Sequence, residues 1–182
     1  MTLPPPLAGE ARERLLQAWD RIASFAQRVE SRLGDQISCG QGCHDCCHQV
    51  LRLRGVEASL LLEGARSLSG EAMSLVWQAL EDALEICPLL HGGLCLVYGQ
   101  RPAVCRTHGL PLLRQEEGTT LLHHCPRSFP DSDPRDLSPS LILDEERLAL
   151  LMDAVDAVYC RQTGWGGERV DLVNLLRAGL AP

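Results

Sequence analysis

The chain has 182 residues, 45% hydrophobic and 23% charged, with a formal net charge of -7. That length can bury a real core. The acidity argues against a nucleic-acid binder, which needs a basic face, and gives no polybasic patch for an anionic membrane. All 17 basic residues are arginine, which excludes Schiff-base, P-loop and general-base lysines.

Residues 1–9 read as a Pro-rich, mobile lead. Their start, Met1-Thr-Leu-Pro-Pro-Pro-Leu, has neither a basic n-region nor an apolar h-region. Apolar Leu15, Trp19, Ile22, Ala26, Val29 and Leu33 recur in steps of four and three, which predicts a helix over 11–33 stopped by Gly34. A polar, Gly-containing loop over 38–48 follows, then a short strand within 50–53. Helices are expected over 56–68 and over 70–86, the second capped by Ser69 with Met73, Trp77, Leu80 and Leu84 on one face.

The stretch 87–125 is irregular. A short strand is expected at 94–98. Pro102 suits the first position of a short helix, which places Cys105 in its first turn. Segments 110–115 and 119–123 form a hairpin across Glu116-Glu117-Gly118. Residues 126–139 are rich in Pro, Ser and Asp and read as a surface loop. Its Asp131, Asp133 and Asp136 lack the EF-hand pattern. Asp144 opens a helix over 145–162 and Gly164 ends it, with Leu148, Met152, Val155 and Tyr159 as the buried stripe. A terminal helix over 169–177 completes the chain. The expected fold is mainly α: a helical scaffold, with a few short strands, around a loop-rich cysteine metal-binding centre. It is expected to be a single domain over 1–182, with the cysteine region at 39–125.

The nine cysteines carry the chemistry. With no leader and no run of transmembrane length, the chain reads as cytoplasmic, where thiols stay reduced and a dense cysteine pattern points to metal. The first group is Cys39-x3-Cys43-x2-Cys46-Cys47. Its two-residue spacer lets Cys43 and Cys46 grip one ion. Adjacent side chains diverge, so the Cys46-Cys47 doublet suggests two nearby ions or different corners of a polynuclear cluster. The second group is Cys87, Cys95, Cys105 and Cys125. Two of these precede proline, as the last cysteine of bacterial ferredoxin ligand runs does. The first turn of a helix favours a thiolate at Cys105, and Arg106 adds positive charge. Eight cysteines suffice for two tetrathiolate sites or one larger cluster. Cys160, off the buried stripe of its helix, has no partner and reads as a bystander.

His44, His48, His91, His108, His123 and His124 flank the cysteines, but eight thiolates make histidine ligation unnecessary. Arg101 and Arg106 are expected to neutralise thiolate charge. No H-E-x-x-H, nucleotide fingerprint or nucleophile elbow is present.

Cys39-x3-Cys43-x2-Cys46-Cys47, followed by Cys87-Pro88-Leu89-Leu90, Gly93-Leu94-Cys95-Leu96-Val97-Tyr98, Arg101-Pro102-x2-Cys105-Arg106 and Cys125, resembles the YkgJ-like cysteine-cluster family. That family is described as zinc- or iron-chelating. A similar cysteine pattern occurs in flagellin lysine methylases, which are associated with an iron–sulfur cluster. The resemblance implies metal binding by all eight positions. All-sulfur ligation and the doublet make an iron–sulfur cluster with a redox or maturation role the leading expectation. The alternative is a zinc-binding structural or interaction module without catalysis. A third is an enzyme with a cluster beside a protein-modifying site. An unidentified protein partner fits the leading reading; nucleic acid and membrane do not.

Overall fold

A computed structural model describes residues 2–40, 42–82 and 86–181. Helix α1 spans Gly9–Leu33 and buries Leu15, Ala18, Trp19, Ile22 and Val29. These are the apolar positions that the helical period places on one side. Gly34 ends it with φ 51°. The Pro-rich lead before it is packed rather than loose. Leu7 is buried, and the Pro5 carbonyl accepts hydrogen bonds from Ser59 Oγ at 2.7 Å and from the Tyr159 hydroxyl. Proline lacks an N–H but keeps its carbonyl, so a Pro-rich segment docks through acceptors and ring contacts.

Strand β1 (Arg52–Leu53) leads into α2 (Gly55–Arg66), in which every residue from Gly55 to Leu62 is buried. A helix without a polar face belongs at the centre, and α2 packs against α1, α5 (Glu145–Thr163) and α6 (Leu172–Gly179). Helix α3 runs Gly70–Glu81, with Ser69 Oγ accepting the Ala72 N–H. It stops short of the expected 86, since Ile86 lies in a bend. Leu84, expected on its apolar face, lies outside the described residues.

Next come β2 (Leu90–His91) and β3 (Leu94–Cys95), an antiparallel pair, and α4 (Ala103–Thr107). Strands β4 (Leu112–Glu116) and β5 (Thr119–His123) form the expected hairpin, and β6 (Leu143–Asp144) adds to β4 in parallel. Asp144 caps α5 by accepting the Arg147 N–H at 3.0 Å, and Gly164 closes that helix in the left-handed region. β7 (Val170–Asp171) pairs with β1 before α6 begins, so the last helix starts later than its pattern suggested.

The fold is mainly α, with six helices among the described residues. Two apolar clusters hold it. The larger gathers the N-terminal part of α1 with α2, α3, α5 and α6, and also takes in Leu89, Val97 and Ala103. The smaller is built from Val29, Leu33, Leu110 and Phe129, with Ile37 packed on it. No helix among the described residues is long and apolar enough to cross a membrane.

Candidate metal centre

Eight cysteines approach one region from four segments. The 38–48 loop is wound by short turns, with the Cys43 N–H on the Gly40 carbonyl at 3.1 Å and the Cys47 N–H on the His44 carbonyl at 2.8 Å. The loop is tied down at both ends. The Cys87 N–H donates to the Cys47 carbonyl at 2.8 Å. At the other end the Ser38 N–H donates to Ser128 Oγ at 3.3 Å, Ser38 Oγ donates to the Arg127 carbonyl, and Arg127 pairs with Asp45 at 3.2 Å.

Cys95 ends the short β2–β3 hairpin, opposite Leu90. Gly92 and Gly93 turn this hairpin with φ 56° and 77°, a conformation that a two-residue hairpin turn requires and that side chains resist. The Leu90 N–H returns to the Cys87 carbonyl at 3.0 Å, so one loop carries both Cys87 and Cys95. Cys105 sits in the first turn of α4, as expected, with its N–H on the Pro102 carbonyl at 3.0 Å. Helix α4 is itself anchored by buried Glu57, whose Oε1 accepts the Ala103 N–H at 2.7 Å. Cys125 follows β5, and its carbonyl accepts the Ser128 N–H at 2.9 Å.

All nine cysteines are free thiols. Burial pushes Cys46 and Cys87 up to about 11 and Cys105 up to about 12, and neighbouring cysteines add to each shift. Cys39 is raised by burial and then by Cys43, Cys46 and Cys125; Cys47 is raised by burial and then by Cys87 and Cys95. Cys39 is exposed as a residue, yet its sulfur lies against Gly109, which accounts for the buried character of the thiol. Crowded thiols of this kind lose their protons readily only to a cation, and metal uptake by them releases protons.

Arg101 supplies the fixed positive charge. Its guanidinium lies 3.5 Å from the centroid of the Tyr98 ring, and it opposes the upward shifts of Cys39, Cys47, Cys95 and Cys105. The same role expected of Arg106 is a minor one. Arg106 stacks on Trp19 at 4.0 Å and donates to the Arg101 and Gly99 carbonyls. It braces the 99–101 backbone.

The histidines are placed around the thiols. His44 lies beside Gly93 and has a buried Nδ1 without a hydrogen-bond partner among the described residues. His48 is 6.2 Å from His44, ring to ring, and His91 is exposed in β2. His124 Nδ1 hydrogen-bonds the Cys125 carbonyl at 3.0 Å. His123 Nε2 is 3.1 Å from Glu116 without hydrogen-bond alignment. His108 is lowered by burial and lines, with Val104, Thr107, His123 and His124, a cleft of about 440 Å³ beside α4. Cys160 stands apart on α5, its thiol raised by burial and by Asp156 and Glu168 rather than by any cysteine.

Among the described residues, no three Cys, His, Asp or Glu side chains are placed as the ligand set of one ion. The thiols are neighbours rather than a closed cage. Their chemistry nonetheless fits zinc or iron: soft, unpaired sulfur donors in number, on backbones fixed by hydrogen bonds, around one arginine. Sequence reasoning missed Glu57 and Gly109, whose roles have no local signal. It also missed the β2–β3 hairpin, which Gly92-Gly93 could have revealed.

The comparisons agree with this chemistry. A family model described as "CxxCxxCC: Putative zinc- or iron-chelating domain" matches residues 38–126. No curated protein and no solved structure matches the chain. The matched stretch, residues 38–126, contains all eight clustered cysteines and helices α2, α3 and α4, and it is similar to the CxxCxxCC family of zinc- or iron-chelating domains.

Proposed function

We propose that this protein holds an iron–sulfur centre on Cys39, Cys43, Cys46, Cys47, Cys87, Cys95, Cys105 and Cys125 and serves electron transfer or redox maturation with a protein partner. The observation that supports the reading is that eight free thiols come from four chain segments, with Cys39, Cys47, Cys95 and Cys105 all within electrostatic reach of Arg101. The all-sulfur donor set suits an iron–sulfur centre, and the adjacent Cys46 and Cys47 fit either two nearby ions or separate corners of a polynuclear centre. An iron–sulfur cluster would supply one-electron chemistry. The chain's own residues would supply the sulfurs, balance their charge through Arg101, and leave Cys39 near the surface where a partner can approach. Free thiols in such number fit a reducing, cytoplasmic setting.

Zinc is the second reading, because four thiols per ion are also the complement of a closed structural zinc site. Anaerobic purification with elemental analysis and an absorption spectrum separates the two. Iron with sulfide and a visible band that bleaches on reduction supports the proposal. Zinc in a colourless, air-stable protein overturns the redox role. Cys160→Ser should leave the metal content unchanged.

A further inference from the structure

We propose that β5 is a docking edge for a second copy of this chain, the two β5 strands pairing antiparallel about a two-fold axis at Leu121. The inference comes from the sheet and stands apart from the metal chemistry.

Which backbone groups of β5 are free follows from its neighbours. The sheet runs β5-β4-β6, so β5 is an edge. The Leu143 N–H donates to the Pro111 carbonyl at 2.9 Å, and a strand between two neighbours alternates its backbone bonds between them. Pro111 and Leu113 therefore turn to β6, while Leu112, Arg114 and Glu116 turn to β5. Their partners there are His123, Leu121 and Thr119. The turn gives the same alternation. Glu117 and Gly118 take φ 50° and 80°, and a two-residue turn of this kind closes on a hydrogen-bonded pair, here Glu116 and Thr119. Thr120 and Leu122 are left with N–H and C=O groups that point outward. Among the described residues, no hydrogen bond uses them.

This edge lacks protection. Sheets blunt an exposed edge with proline, charge, a bulge or a covering element. β5 is Thr119-Thr120-Leu121-Leu122-His123, without proline, arginine or carboxylate, and its register with β4 runs without a bulge. Thr119, Thr120 and Leu121 are exposed, Leu121 by 38%.

A second copy fits the edge in one register. Pairing Thr120 of each copy with Leu122 of the other lets the outward groups of both residues bond. Leu121 then meets Leu121 at the axis as a close, non-hydrogen-bonded pair that shields apolar surface. Thr119 meets His123, so all five strand residues are paired. A slide of two residues one way would pair Gly118, whose left-handed backbone cannot extend a strand. The same slide the other way carries Thr119 past the strand end, opposite Cys125. No charged side chain of β5 faces its own copy, so the like-charge penalty of a self-pair is absent. The Glu116-Glu117 turn comes alongside His123 and His124 of the second copy, carboxylate acceptors beside imidazole N–H donors. The two three-stranded sheets join into one of six strands. One short strand a side is a smaller interface than a permanent dimer has, so the dimer is reversible and its share rises with concentration.

Sedimentation velocity on the full chain over a concentration series tests this. The wild type should pass from monomer to dimer as concentration rises. Thr120→Pro removes an outward N–H without touching the β4 ladder and should stay monomeric. Leu121→Glu and Leu121→Arg each set like charges against themselves at the axis, so each alone should be monomeric. Mixed together they should dimerise at least as readily as the wild type. The mixture separates lost pairing from lost folding, and circular dichroism of each variant should match the wild type. A wild type that is monomeric throughout overturns the inference, whatever other strand β5 accepts. A dimer that persists in Thr120→Pro and Leu121→Glu places the contact elsewhere and also overturns it. Monomeric variants that fail to rescue each other rule out the axis at Leu121.

Discussion

Glu57 Oε1 accepts the Ala103 N–H at 2.7 Å in the protein interior, and this one bond fastens the helix carrying Cys105 to the central helix α2. Arg54 stands 3.6 Å away as the counter-charge. Glu57→Leu would leave a buried N–H without an acceptor and Arg54 short of a partner. A loss of about 2–4 kcal/mol is expected from removing one side of such a buried arrangement. Metal content should fall with it, because the start of α4 is no longer held. Denaturant unfolding and elemental analysis check both, and a stable variant with full metal would contradict the anchoring role.

The same carboxyl makes stability depend on pH. Burial raises Glu57, and Asp156 raises it further, while the Ala103 N–H, Arg54 and Arg169 oppose the shift. Asp156 is raised by burial too, opposed by the Val56 N–H, Arg54 and Arg169, with Asp153 adding to the rise. A carboxyl whose folded value exceeds its unfolded one binds its proton more tightly when folded. Its contribution is complete below the unfolded carboxylate range of about 4.3 and is lost as pH rises through the folded value. Glu57→Gln keeps an oxygen for Ala103 and removes that dependence. Its melting temperature should gain on the wild type from about pH 4 towards neutrality. Melting curves across that range measure it; a variant that loses ground as pH rises would refute it.

The helices were readable because their evidence is local. Leu15, Trp19, Ile22 and Val29 repeat at the helical period and are the residues that α1 buries, and Asp144 and Gly164 bound α5 as their chemistry dictates. The β4–β5 hairpin was readable from its turn residues, since Glu117 and Gly118 take φ 50° and 80°. β6 and β7 were not readable. Each is two residues long and exists through pairing with a strand distant in sequence. The lead was misread because Pro4 to Leu7 look like linker composition, while the burial of Pro4 and Leu7 and the docking of the Pro5 carbonyl on Ser59 and Tyr159 depend on residues far along the chain. The cysteines themselves were plain from spacing. Their neighbours were not, because which sulfur meets which depends on backbone bonds such as Cys87 to Cys47.

Gly109 shows how little room the site leaves. A Cβ there would stand 2.1 Å from Cys39 Cβ and 2.7 Å from its sulfur. The obstacle is the base of the side chain, which cannot swing aside, so Cys39 must move with its backbone. Gly109→Ala is expected to cost about 1–3 kcal/mol by overpacking and to lower metal content while helical circular dichroism stays unchanged. Gly99→Ala, where a Cβ meets open space, is the matched control and should keep its metal. Equal metal in both variants would show that Cys39 is not a ligand.

Arg101 offers the sharpest test of the charge argument. Its guanidinium lies on the Tyr98 ring and stabilises the thiolate forms of Cys39, Cys47, Cys95 and Cys105. Tetrathiolate ligation of a divalent ion leaves a net negative centre, so a nearby cation strengthens retention without being a ligand. Arg101→Leu removes the charge. Arg101→Lys keeps it but loses the planar stacking that fixes its position. Both variants should load metal, since no donor has been removed. Chelator should strip the Leu variant about tenfold faster than the wild type, the effect of roughly 1.4 kcal/mol, with Lys in between. The difference should shrink at high salt for the part of the field that reaches solvent. Equal stripping rates in all three proteins would mean that the thiolates are neutralised by something other than Arg101.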